Sequence, residues 1–97
     1  MKHATPAAIA RLATLVAELR KLEALREPRP GAFYRGSQAF LHFHEDAAGD
    51  FADLKVAGEW ERSRATTQRE RAQLLRRVRA VLAQRATRSK RSEPSSR

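Results

Sequence analysis

Apolar positions recur at helical spacing near both ends of the chain and alternate at strand spacing in the middle. Ile9, Leu12, Val16, Leu19 and Leu22 share one helical face, widened by Ala13, Leu15 and Leu25, while Arg11, Glu18, Lys21 and Glu23 lie outside it. Thr5-Pro6 opens this helix with a hydroxyl cap and a proline in the first turn. Pro28 closes it, because proline disfavours helix in the preceding residue, and Glu27-Pro28-Arg29-Pro30-Gly31 reads as a stiff connector. A second stripe, Leu74, Leu75, Val78, Val81 and Leu82, has Arg69, Arg76, Arg77 and Arg79 opposite it. Thr67 and Glu70 start that helix as a capping box, in which hydroxyl and carboxylate each satisfy a free backbone donor.

The stretch from Phe33 to Val56 reads as sheet. Gly36-Ser37 is a two-residue turn signal, with glycine able to take the positive φ of a type II′ turn. It predicts pairing of Arg35 with Gln38, Phe33 with Phe40 and Ala32 with Leu41. Asp46-Ala47-Ala48-Gly49 predicts a second hairpin that pairs Phe43 with Ala52, Leu41 with Leu54 and His42 with Asp53. Alternation then places Ala32, Tyr34, Ala39, Leu41, Phe43, Ala52, Leu54 and Val56 on an apolar face. Phe33, Arg35, Gln38, Phe40, His42, His44, Phe51, Asp53 and Lys55 fall on the other. After a turn at Ala57-Gly58-Glu59, Trp60 to Ala65 forms a charged fourth strand suited to a sheet edge, with Trp60 expected to fill volume as a lid on the core.

The predicted fold is therefore α+β: an antiparallel sheet of three to four strands, with an N-terminal and a C-terminal helix packed on its apolar face. One domain covers residues 1–86, and a polar stretch over 87–97, rich in Ser, Lys and Arg, is expected to be a disordered basic tail. Charge sharpens this division. The chain of 97 residues carries a net +9. Residues 1–65 hold ten basic and nine acidic side chains, whereas residues 66–97 hold ten basic and two acidic ones, so the excess sits on the last helix and tail. Absent cysteines rule out disulfide and thiolate chemistry. Arg11 and Glu18 interrupt the first apolar stretch, which argues against a signal peptide, and no run matches a membrane span of about 18 residues; the expectation is a cytoplasmic protein.

Three chemistries compete for the remaining residues. His42 and His44, two apart on one strand, with Asp53 across from them, are a candidate set of ligands for a divalent metal such as Zn²⁺. The simpler reading is a cross-strand hydrogen bond between His42 and Asp53, and no other cofactor is expected. Phe33, Phe40 and Phe51 on the uncovered face predict an interface with a second copy or a protein partner, hence a homodimer. Arg69, Arg76, Arg77 and Arg79, continued by Arg85, Arg88, Lys90 and Arg91, offer a phosphate-contacting stripe to nucleic acid. Nucleophilic catalysis finds no support: Ser37 lies in a turn, Ser63 has no evident base, and the carboxylates Glu45, Asp46 and Asp50 read as a solvated loop.

Phe40-Leu41-His42-Phe43-His44-Glu45-Asp46, followed by Asp53-Leu54-Lys55-Val56, resembles the H-x-H…D core of small bacterial "luciferase-family" domains over residues 30–57. Those domains continue into a longer segment ending in a Gly-Trp strand, where only Trp60 stands here. The resemblance implies a family of unknown function with attention on His42, His44 and Asp53, and implies no reaction. The leading expectation is a non-enzymatic binding module that uses the open sheet face. The alternatives are a nucleic-acid accessory protein acting through the basic helix, and a metal-dependent enzyme at the histidines.

Overall fold

The structure, a computed structural model, describes residues 2–92, with side chains over residues 3–84. The element order is β1 (Lys2–His3), α1 (Pro6–Arg11), α2 (Ala13–Arg20), β2 (Arg26–Arg29), β3 (Ala32–Arg35), β4 (Gln38–Asp46), β5 (Gly49–Val56), β6 (Glu59–Arg64) and α3 (Gln68–Ser92). The α+β class and the helix–sheet–helix order are those expected. The sheet is larger, with five antiparallel strands in the order β2-β3-β4-β5-β6 and the short β1 paired to β4 beyond the end of β3.

The N-terminal helix begins where predicted. The Thr5 hydroxyl accepts from the Ala8 amide at 3.3 Å, and Pro6 holds the first turn. Two differences follow. The helix breaks at Leu12, with φ −95° and ψ 10°, and it ends at Arg20 rather than running on to Pro28. Arg26–Arg29 instead forms the edge strand β2, paired as Arg26↔Tyr34 and Arg29↔Ala32. Pro28 is compatible with strand only at an edge, where its missing N–H costs no ladder bond and blunts pairing with other chains.

The β4–β5 register is the predicted one: Leu41↔Leu54, His42↔Asp53 and Phe43↔Ala52. The β3–β4 register is not. Arg35 faces Gln38 and Tyr34 faces Ala39, but Phe33 faces Leu41, so Phe40 is an extra residue bulged from β4. An inserted residue inverts the faces on one side of it. Phe33 and Phe40, expected in an exposed interface, therefore lie in the core at 1% exposure each. Ala32, Tyr34 and Ala39 fall on the opposite face instead. Phe51 alone of the three stays on the open face, half-buried. The aromatic patch invoked for a homodimer is thus not assembled.

The core joins Leu12, Leu15, Val16 and Leu19 of the N-terminal helices, Phe33, Phe40, Leu41, Phe43, Ala52 and Leu54 of the sheet, and Leu74, Val78 and Val81 of α3. The α3 capping box forms as predicted: the Glu70 amide donates to the Thr67 hydroxyl at 3.1 Å, and the Thr67 amide donates to Glu70 Oε1 at 3.0 Å. Asp50, 3% exposed, ties the layers together by accepting two bonds from the Arg11 guanidinium at 2.8 and 3.0 Å. Helical backbone runs to Ser92, past the expected start of the tail at residue 87, while residues 93–97 lie outside the described residues. Among the described residues no helix is long and apolar enough to cross a membrane.

Candidate binding face of the sheet

The helices cover one face of the sheet, and no described element covers the other. Its side chains follow from strand alternation and the observed register, in rows across the strands. One row runs Arg29, Ala32, His42, Asp53, Arg62 from β2 to β6. The adjoining row is His3, His44, Phe51, Arg64. On the other side lie Arg26, Tyr34 and Ala39, and the pair Lys55 and Trp60.

Three imidazoles meet at the centre. His3 stacks on His44 with centroids 5.4 Å apart, and His42 lies 6.3 Å from His44 and 6.4 Å from His3. His42 also packs against Trp60 at 5.1 Å. The sheet twist makes the acid contact diagonal: Asp53 meets His44, with Oδ2 at 3.0 Å from Nε2, rather than the directly opposed His42. At that distance His44 Nε2 makes no aligned hydrogen bond. Both Asp53 oxygens accept from Arg62, at 2.7 and 2.9 Å. The guanidinium, through those bonds, is the main reason the Asp53 carboxyl is held below its usual range.

His42, His44 and Asp53 therefore lie together without forming a ligand set. Arg62 occupies the carboxylate, and among the described residues no three His, Cys, Asp or Glu side chains converge as metal ligands. Burial pushes the His42 pKa down, and repulsion from His44 and His3 adds to it; Asp53 opposes this, and Arg29 reinforces it. Below the unfolded value of about 6.5, the unfolded chain takes up a proton that folded His42 resists. The stability tied to neutral His42 is complete above that pH and declines as pH falls through it towards the folded pKa. Asp53 works in a lower window, its contribution being lost only below about pH 4. The melting temperature is expected to fall on acidification from about pH 7.5 to about pH 5, and His42→Phe to flatten that fall. Equal slopes for parent and variant would contradict this account.

Trp60, expected as a core lid, is instead 45% exposed, the one large apolar side chain so exposed among the described residues. Each aromatic ring of the face carries a cation: Lys55 over Trp60 at 5.1 Å, Arg64 over Phe51 at 5.4 Å and Arg26 over Tyr34 at 5.8 Å. Arg26, Arg29 and Lys55 make no ion pair among the described residues, whereas Arg62 and Arg64 pair with Asp53 and Glu70. Comparison with protein-family models, with curated proteins and with solved structures finds no match.

The predicted phosphate-binding stripe of α3 is less free than its sequence implies. Arg77 makes a two-pronged bond to Glu61 at 2.9 and 3.0 Å, and Arg79 lies 3.6 Å from Glu18. Arg69 and Arg76 remain exposed and unpaired among the described residues, while the side chains of Arg85, Arg88, Lys90 and Arg91 lie outside them. Sequence reasoning missed His3, Arg26, Arg29, Arg62 and Arg64 as members of the open face. Alternation through Trp60-Glu61-Arg62-Ser63-Arg64 carried a legible signal for β6. A two-residue β1 has no periodicity to read, and β2 was masked by Pro28 within it and Pro30 just after it.

Proposed function

We propose that this protein is a binding module whose ligand-contacting surface is the uncovered face of the sheet, and that its ligand is a polyanion. The observation that carries this is Trp60, 45% exposed beneath the unpaired Lys55 on a face no described element covers, with Arg26 and Arg29 unpaired on the opposite edge strand β2. An exposed indole beside a lysine offers a flat ring for stacking next to a charge that attracts anions. The charge there decides the kind of ligand: Arg26, Arg29 and Lys55 are unneutralised, and the single carboxylate of the central row, Asp53, is already paired with Arg62. The H-x-H…D residues that resemble the "luciferase-family" domains form the floor of this surface in the proposal, through His42, His44 and Asp53.

Heparin chromatography of the full chain tests it. Arg29→Glu with Lys55→Glu is expected to elute at clearly lower salt than the parent, because four units of charge change on the face. Arg69→Glu with Arg76→Glu, on the exposed side of α3, is expected to shift elution less. The reverse order would move the function to the basic helix and overturn this reading.

A further inference from the structure

Resting on that reading of the open face, we infer that its polyanion is single-stranded nucleic acid, with bases stacked on Trp60 and its neighbouring rings and phosphates held by Arg26, Arg29 and Lys55. Proteins that take single strands without sequence preference combine stacking rings with a cationic track for the backbone. Here the two are interleaved. Trp60, Phe51 and Tyr34 sit on three different strands, each within 6 Å of a cation. Trp60 leans on His42 at 5.1 Å, which steadies the indole while it remains 45% exposed to receive a base. Beyond His42, a cavity of about 230 Å³ lined by His3, Arg29, Ala32 and His42 gives a phosphate a recess with the Arg29 guanidinium in its wall.

The alternatives fit less well. Protein interfaces concentrate apolar side chains and are depleted in charged ones at their centre, whereas the centre of this face holds His42, His44 and the Asp53–Arg62 ion pair. A duplex hides its base faces, and its major groove is about 12 Å wide. Five strands about 4.8 Å apart span about 19 Å, too broad to enter that groove. An extended strand laid across a sheet of this width places about two or three bases on it.

The chain has one tryptophan, so its fluorescence reports the site directly. Titration of the full chain with an oligothymidylate of about ten nucleotides is expected to quench Trp60 at low salt. About three phosphate contacts give a slope near −2 in log affinity against log salt. With a labelled oligonucleotide read by anisotropy, Trp60→Ala is expected to bind about 5- to 100-fold more weakly, and Trp60→Phe to recover most of the loss. An exposed ring can be replaced without unfolding the domain, and a thermal melt of each variant checks this. The same sequence as a duplex is expected to bind more weakly and without dependence on Trp60. If heparin binds through Arg29 and Lys55 but the oligonucleotide neither quenches Trp60 nor responds to Trp60→Ala, the binding face stands and single-stranded nucleic acid is wrong. If neither heparin nor oligonucleotide binds, the polyanion reading itself fails, and this inference with it. Equal affinity for duplex and single strand would also overturn it.

Discussion

Replacing Phe40 by alanine is expected to lower the free energy of unfolding by about 3–5 kcal/mol, the range for emptying a buried phenylalanine site. That is a large share of the roughly 5–15 kcal/mol that holds a domain together. The bulge in β4 turns Phe40 into the core beside Leu41, and both are essentially inaccessible, at 1% and 0%. The regular register implied by the sequence would instead leave Phe40 on the open face, where truncation costs the isolated chain little. Phe51→Ala is the internal comparison, since that ring is half-buried on the open face beneath Arg64. Urea melts of both variants separate the two arrangements: the Phe40 variant should lose far more midpoint at an unchanged slope. Similar losses for the two variants would mean that the bulge is absent.

Gly49→Ala is expected to cost about 2–4 kcal/mol, combining backbone strain of roughly 1–3 kcal/mol with a damaged hydrogen bond worth about 1 kcal/mol. Gly49 sits at φ 135°, where side chains are disfavoured, and a Cβ there would run into the Thr66 hydroxyl. That hydroxyl cannot easily yield. It accepts from the Asp50 amide at 2.9 Å and donates to the Asp50 carbonyl at 3.0 Å, joining the β4–β5 hairpin to the start of α3. The check is a double-mutant cycle. Gly49→Ala combined with Thr66→Ala should cost less than the sum of the single changes, because the second substitution removes the obstructing atom. Gly36→Ala supplies the contrast. Gly36 has φ 62° but open space around its Cβ position, so strain is the only expected cost. Strict additivity in the cycle would show that Thr66 does not crowd this turn.

Much of the candidate surface was present in the sequence but divided among segments with different apparent roles. His42, His44 and Asp53 were identifiable because one hairpin brings them together, and hairpin register follows from local turn chemistry and alternation. The cations that give the surface its character come from elsewhere. Arg26 and Arg29 lie in a proline-containing stretch that resembles a linker, and His3 precedes the first helix. Arg77 and Arg79 show the converse. Their spacing marks an exposed helix face, while the carboxylates that partly neutralise them, Glu61 and Glu18, come from β6 and α2. Net charge along the sequence therefore overstated the free charge of α3 and understated that of the sheet.

The α+β class, the helix starts at Thr5 and Thr67, the two central hairpins and the Leu41–Leu54 register were all legible from local signals. Each depends on residues a few positions apart: a cap, a turn, or a period of two or 3.6. The β2 edge, the β1 patch, the β4 bulge and the exposure of Trp60 were settled in space, because each depends on what lies alongside in the folded chain. The bulge shows why. Phe40 and Leu41 are consecutive, and simple alternation must send one of them to water. With apolar helices packed on one side of the sheet, burying Phe33, Phe40 and Leu41 together gains more than an unbroken ladder, by about 1.5–3 kcal/mol for each large side chain buried. That choice removed the phenylalanines from the open face and left it to Trp60, the histidines and the unpaired cations.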